Sequence, residues 1–237
     1  MSLLGGNAIV YEGTKKMLVS LSEKELVDYI SAQCAHFFPD GNDSSATLVG
    51  IMPEALARME VLVSHVSLKY YRKEGKPYFS HLNTDQYAAF LYFCANTVYR
   101  RVPGSVVAEK LYALNKALHA LDVFYAVELP EIFLFSHPVG SVLGRAEYGN
   151  YFVCYQNCTV GGNTKLEYPV LGEGVALYAN SAIVGNCRVG NDVQMSAKSM
   201  LMNTDAPDGV IVCGTYPDIV FKTPHQRARD RYFLMKE

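Results

Sequence analysis

Six histidines are the chain's natural candidates for proton transfer near neutral pH, because imidazole is the side chain whose ordinary pKa lies there. His36, His65, His81 and His119 fall in the first half and His225 near the end; only His137 lies in the repeat-bearing second half. A neutral imidazole can accept a proton as general base, help worth about 10²–10⁴-fold. A catalytic metal held by histidines would need three of them converging, and the repeats offer one. The six cysteines, Cys34, Cys94, Cys154, Cys158, Cys187 and Cys213, contain no C-x-x-C pair. They read as reduced, buried small side chains, and neither disulfides nor a metal site is expected.

The elements that must carry such residues fall into two kinds. In the first half Ser22-Glu23-Lys24-Glu25 forms a capping box, and Leu26, Ile30, Cys34 and Phe37 follow at helical spacing. A second helix is expected after Pro53, with Leu56, Met59, Val63, Val66 and Tyr70 on one face. A third carries Tyr87, Leu91, Cys94 and Val98 and ends before Pro103-Gly104; a fourth carries Val107, Leu111, Leu114, Leu118 and Leu121.

From Leu171 the period becomes six: LGEGVA, LYANSA, IVGNCR, VGNDVQ, MSAKSM and LMNTDA. Leu171, Leu177, Ile183, Val189, Met195 and Leu201 open the hexads, and Val175, Ser181, Cys187, Val193 and Ser199 hold the fifth position. Neither a helix nor an alternating strand generates that pattern, whereas a parallel β-helix does. Each hexad then forms one flat side, three sides make a coil, and coils stack about 4.8 Å apart. Cys154 and Val160 keep the phase upstream, and the excess residues before Leu171 place a loop at about 163–168. The expected class is α+β: an N-terminal helical domain (1–121), a left-handed parallel β-helix (122–222) and a tail (223–237), either a short helix over the last coil or disordered.

With 237 residues, a net charge of −2 and 19% charged residues, the chain gives no reason to expect nucleic acid as a partner. Its longest strongly apolar stretch, residues 88–95, is far short of the roughly 20 residues that span a bilayer. Met1 to Val10 lacks the basic start of a secretory signal, so a cytoplasmic protein is expected.

Residues 121–222 resemble the catalytic domain of serine acetyltransferases in the hexapeptide-repeat acyltransferase superfamily. The resemblance rests on Ser136-His137-Pro138-Val139-Gly140, on Leu121-Asp122-Val123 fifteen residues earlier, on Thr159-Val160-Gly161-Gly162, and on the hexads running out into Gly214-Thr215-Tyr216-Pro217. It implies acetyl transfer from acetyl-CoA to a hydroxyl acceptor, L-serine first, with His137 as the base and Asp122 orienting it. In a coil of about 18 residues, a 15-residue separation brings the two onto adjacent coils. The resemblance also implies oxyanion or acceptor contacts at Tyr168 and Ser136, and cofactor contacts at Gly161, Gly162, Asn163, Ala179 and Ala197, with Lys198 and Lys222 near the phosphates. It implies no metal, and a homotrimer that the helical domain could pair into a hexamer. Ser136 stands where the family has the Asp that helps hold the serine amino group, and Tyr168 where it has a second histidine. A sugar or other small alcohol is therefore an alternative acceptor. A γ-class carbonic anhydrase is excluded by the histidine count, and a non-catalytic assembly subunit is opposed by the intact Asp122/His137 spacing. The family's C-terminal docking to a cysteine-synthesising enzyme is not carried over to a chain ending Lys236-Glu237.

Overall fold

The computed structural model describes residues 17–235, so the reading of Met1 to Val10 lies outside the described residues. Helix α1 (Glu23–Phe37) begins on the expected capping box, with Ser22 and Glu25 bonded reciprocally. Helix α2 (Ser45–His65) differs from expectation: it starts well before Pro53 and carries the proline inside. An interior proline costs about 3 kcal/mol. The turns that precede it bury Leu48, Ile51 and Met52 completely, each worth about 1.5–3 kcal/mol, and so outweigh it. Helix α3 (Thr84–Arg101) is buried on every side from Gln86 to Val98, which makes it the central helix of the unit. Helix α4 (Val106–His119) closes the bundle and ends in Ala120 with a left-handed φ of 50°. A small sheet of Leu18–Val19, Arg72–Lys73 and Lys76–Phe79 edges the helices, and no periodic signal foretold it.

The parallel β-helix expected from the hexads follows. Its first face stacks Asp122–Val123, Val142–Leu143, Thr159–Gly161, Ala182–Val184 and Met200–Met202. The second stacks Phe133–Phe135, Phe152–Cys154, Ala176–Leu177 and Gln194–Met195, and Ile211–Thr215 joins both faces at the top. The third stacks Glu147–Tyr148, Val170–Leu171 and Arg188–Val189. Every residue at the first and fifth hexad positions from Leu171 to Leu201 is buried, with Ile183 directly on Val160 and Leu177 on Cys154. All six cysteines are free, five of them buried. The strand Asp218–Lys222 turns back antiparallel and ends the stack.

The second face is not left to solvent. Its outward-pointing Leu134, Val153 and Ala176 are buried, with the C-terminal segment packed along this side, while α3 closes the lower end of the coil, its Phe93 ring 5.4 Å from Phe133. That segment forms α5 (Ala228–Tyr232) and lies along the side of the coil, not over its last turn as expected. Tyr232 bonds Tyr155 through the hydroxyls at 2.8 Å, Arg229 forks onto Asp192, and Leu234 donates to the His65 carbonyl at 2.7 Å. The strap thus ties the β-helix to α2.

His119 is 8% exposed, and burial holds its pKa down to about 4. The unfolded chain protonates the same imidazole near 6.5, so between those values the unfolded state binds more protons. Stability should therefore fall as pH drops from about 6.5 toward 4, by up to about 1.4 kcal/mol per pH unit from this group. Urea unfolding of the wild type and His119→Gln across that range checks it: the variant should show a shallower slope.

Candidate active site

Between the second and first faces the chain turns a corner, designated here corner A, once per coil. Gly140, Asn157, Asn180 and Lys198 occupy it with left-handed φ of 76°, 55°, 63° and 64°. Each level hydrogen-bonds the one below: Asn157 N to Val139 O (2.9 Å), Asn180 N to Gln156 O (3.0 Å) and Lys198 N to Ala179 O (3.0 Å). His137 opens the lowest level in its own left-handed conformation, φ 51°, with Pro138 fixing the turn after it. Ala179 and Ala197 stand one above the other higher on the same corner. The structure thus aligns His137, Ala179 and Ala197 along one edge of the prism.

The His137 side chain is 80% exposed, and the carboxylate at its shoulder is Asp85, in the first turn of α3. Asp85 Oδ2 accepts the His137 backbone N–H at 3.1 Å and lies 3.9 Å from Nδ1. That second distance exceeds a hydrogen bond, and catalytic contacts often tighten only with substrate bound. Burial pushes the Asp85 carboxyl pKa up, opposed by the His137 amide and the imidazole charge. Sequence reasoning missed Asp85. An acidic residue after an Asn83 cap reads as ordinary helix-start chemistry, and only docking of the two units brings it to the β-helix.

Asp122 takes a different position from the one its spacing suggested. It points outward from the first face, where Oδ1 accepts from the Tyr112 hydroxyl at 2.8 Å and Oδ2 from Lys116 Nζ at 2.5 Å. Partial burial would raise its pKa, but the Lys116 and Tyr112 hydrogen bonds hold the carboxyl below the usual range. In this chain Asp122 pins α4 to the first strand, and the carboxylate beside the imidazole is Asp85. Ser136 ends the second-face strand, its amide bonded to Cys154 O at 2.9 Å.

The remaining candidates sit on corner B, the far edge of the first face. Gly162 is required there, since a Cβ would meet the Tyr168 ring at 2.8 Å. Gly161 has open space around it. Tyr168 packs under the Arg145 guanidinium, 5.2 Å from its ring centre. Asn163 is spent on the loop: its Oδ1 accepts from the Lys165 and Glu167 amides, and its Nδ2 donates to Glu167 and Asn203 at 2.7 Å. Lys198 is on corner A, and Lys222 pairs with Ile211 at the top of the second face. His137 and the Gly162/Tyr168 group therefore occupy opposite edges of one face within a single chain. Among the described residues no cluster of three or more His, Cys, Asp or Glu could hold a metal.

This architecture defines the class: a helical unit leading into a hexapeptide-repeat β-helix. The chain is similar in sequence and fold to serine acetyltransferases. It is 27% identical over 128 residues to serine acetyltransferase of Synechococcus elongatus, covering 52% of this chain and 51% of that protein. Against the Helicobacter pylori enzyme it is 25% identical over 120 residues, 49% of this chain and 70% of the other. The aligned region thus spans about half the length of the Synechococcus relative. Serine acetyltransferase from Neisseria gonorrhoeae superposes with a TM-score of 0.65 at 20% identity, covering 89% of this chain and 84% of that one. A serine acetyltransferase solved in complex with CoA superposes with a TM-score of 0.59 at 19% identity, covering 84% and 95%. No family model matches the chain.

If Asp122 is a pin, Asp122→Asn should lower the denaturation midpoint measurably, because it weakens a half-exposed charge-assisted hydrogen bond. Tyr112→Phe should cost less. Urea denaturation of both decides it, and an Asp122→Asn midpoint equal to wild type would remove the pinning role.

Proposed function

We propose that the chain is an acetyl-CoA-dependent O-acetyltransferase with L-serine as acceptor and His137 as general base. The observation that carries this reading is the edge of the prism itself. An exposed imidazole with a carboxylate beside it stands at the foot of a column in which Gln156 holds the next level and the small Ala179 and Ala197 the two above it. Small side chains let an extended cofactor arm lie against backbone groups there, with its thioester brought down to the imidazole.

In the reaction, neutral His137 accepts the proton of the acceptor hydroxyl while the oxygen attacks the thioester carbonyl carbon. The tetrahedral intermediate collapses, the C–S bond breaks, and the CoA thiolate leaves and takes up the proton from the imidazolium. Asp85, rather than Asp122, is placed to stabilise that imidazolium as charge develops. Donors for the carbonyl oxygen are the Gly161–Gly162 amides and the Tyr168 hydroxyl. They lie across the first face from His137 in one chain, so a complete site needs corner B of one copy against corner A of another. The first face suits such packing: above Asp122 its outward column is Val142, Thr159, Ala182 and Met200, with no charge among them. This supports a homotrimer, with a hexamer as its possible pairing.

Ser136 favours a second reading, in which the acceptor is a sugar or another alcohol without an amino group. Against that, Asp85 supplies from the helical unit a carboxylate that could hold an ammonium group beside the base, which supports the amino-acid acceptor. His137→Ala should reduce turnover about 10²-fold or more with CoA affinity near wild type. L-serine should outrun a panel of sugars and simple alcohols in a thiol-release assay, and Asp85→Asn should narrow that preference. Turnover surviving His137→Ala would place the base elsewhere, and failure to bind CoA would leave only a structural scaffold.

A further inference from the structure

The strap does more than cover the second face. Between it and the coil lies a cavity of about 270 Å³, floored by Tyr178, Gln194 and Ile211 and walled by His225, Arg227 and Arg231. The floor is built: Gln194 is 6% exposed, bonded from Nε2 to the Gln226 carbonyl at 2.8 Å and accepting the Tyr178 hydroxyl at 3.3 Å. Lys222 stands directly opposite Ile211 in the terminal hairpin. Around the cavity the full cations Lys222, Arg227, Arg229 and Arg231 face the carboxylates Glu173, Asp192 and Asp230.

Those carboxylates are unevenly used. Arg229 takes both oxygens of Asp192 and lies 3.6 Å from Glu173, and Arg227 forks onto Asp230 at 2.7 and 2.9 Å. Arg231 has no carboxylate partner among the described residues, and its guanidinium lies 5.3 Å from the Tyr232 ring centre. Four cations against three carboxylates leave one positive charge in excess around the cavity, and the uncommitted guanidinium is that of Arg231, on the cavity wall. A guanidinium matches a phosphate by forked hydrogen bonding, and a cleft of this size admits one such group with part of what carries it.

The cavity's position names the phosphate. Tyr178, on its floor, immediately precedes Ala179 on corner A. Three coil steps separate His137 from Ala197, about 14 Å of rise. A cofactor whose thioester meets His137 and whose arm climbs past Ala179 and Ala197 delivers its nucleotide end at the height of Gln194 and Ile211. The larger cavity, about 550 Å³ beside Val170, Arg188 and Asp205, lies on the third face, across the prism from that edge.

We propose that the strap cavity is a phosphate-ester pocket that receives the 3′-phosphate of the CoA adenosine, with Arg231 as its first ligand and Arg227, exchanging Asp230 for the phosphate, as its second. The inference rests on the acetyl-CoA reading. It adds that cofactor selection is performed by the C-terminal strap and not by the coil.

The test compares acetyl-CoA with 3′-dephospho-acetyl-CoA, which lacks only the group in question. Wild type should show a KM for the dephospho compound about 10- to 100-fold higher. Arg231→Gln should raise KM for acetyl-CoA while changing that for the dephospho compound less than twofold, and Arg227→Gln/Arg231→Gln should make the two cofactors equivalent. The wild-type comparison needs no variant, so a misfolded variant cannot hide the answer. If both cofactors bind wild type equally, or the variants weaken both alike, the pocket is not a phosphate site. If neither binds, the acetyl-transfer reading falls with it.

Discussion

A buried guanidinium holds the two halves of the molecule in one orientation. Arg58, 7% exposed, lies over the Phe93 ring at 4.5 Å and donates to Glu131, Asn96 and Thr97. Asn96 in turn donates to the Tyr125 carbonyl, while the Tyr92 hydroxyl donates to Val127 O and accepts from Leu129 N, both at 2.8 Å. These contacts fasten the connector that leads from the first strand of the β-helix to its second face. Burying a charge this way is a poor source of net stability, because desolvation consumes most of the gain. What it does supply is direction: apolar contacts alone would let α3 slide on the Phe133–Phe135 strand, and directed hydrogen bonds do not.

The β-helix was legible because one geometric rule repeats. A side chain that must point inward at a fixed interval writes itself into the sequence six residues apart, and Leu171 through Leu201 obey without exception. The helices were legible for the same reason at their own period, apart from their ends: α2 stops at His65, short of Val66 and Tyr70, α4 stops at His119, short of Leu121, and α2 starts well before Pro53. There the proline at 53 looked like a boundary, but the rule against interior prolines is a cost and not a prohibition, and Leu48, Ile51 and Met52 exceed it. The strap was half legible. For the tail the sequence left a short helix and disorder both open; Ala228–Tyr232 is helical, and its seat is set by Tyr155, Asp192 and Gln194, which lie dozens of residues away and have no periodic signature.

The candidate site divides the same way. His137, Ala179 and Ala197 are positions marked by the resemblance to serine acetyltransferases and not by the repeat alone. The partner of the imidazole is not such a position. A 15-residue interval correctly brings Asp122 to the adjacent coil, but being one coil away does not decide which way a side chain faces. Tyr112 and Lys116, one helical turn apart on α4, present a hydroxyl and an ammonium to the first face, and Asp122 is drawn to them. Asp85 reaches the imidazole from the end of a helix whose register with the coil no sequence pattern encodes.

On the proposed reaction, this division has a consequence for acceptor choice. The base stands on the β-helix, whose geometry is fixed by stacking, while the carboxylate able to discriminate an amino-bearing acceptor stands on α3. Recognition then depends on how firmly the helical unit is seated, since the contact of Asp85 with the imidazole lies at 3.9 Å, where a small tilt of α3 makes or breaks it. The groups that fix that tilt are Arg58, Tyr92 and Asn96, none of which approaches the acceptor. With serine at 136, acceptor selectivity on the proposed reaction would rest on an interface instead of the coil, and the polar clamp is what would allow an interface to carry it.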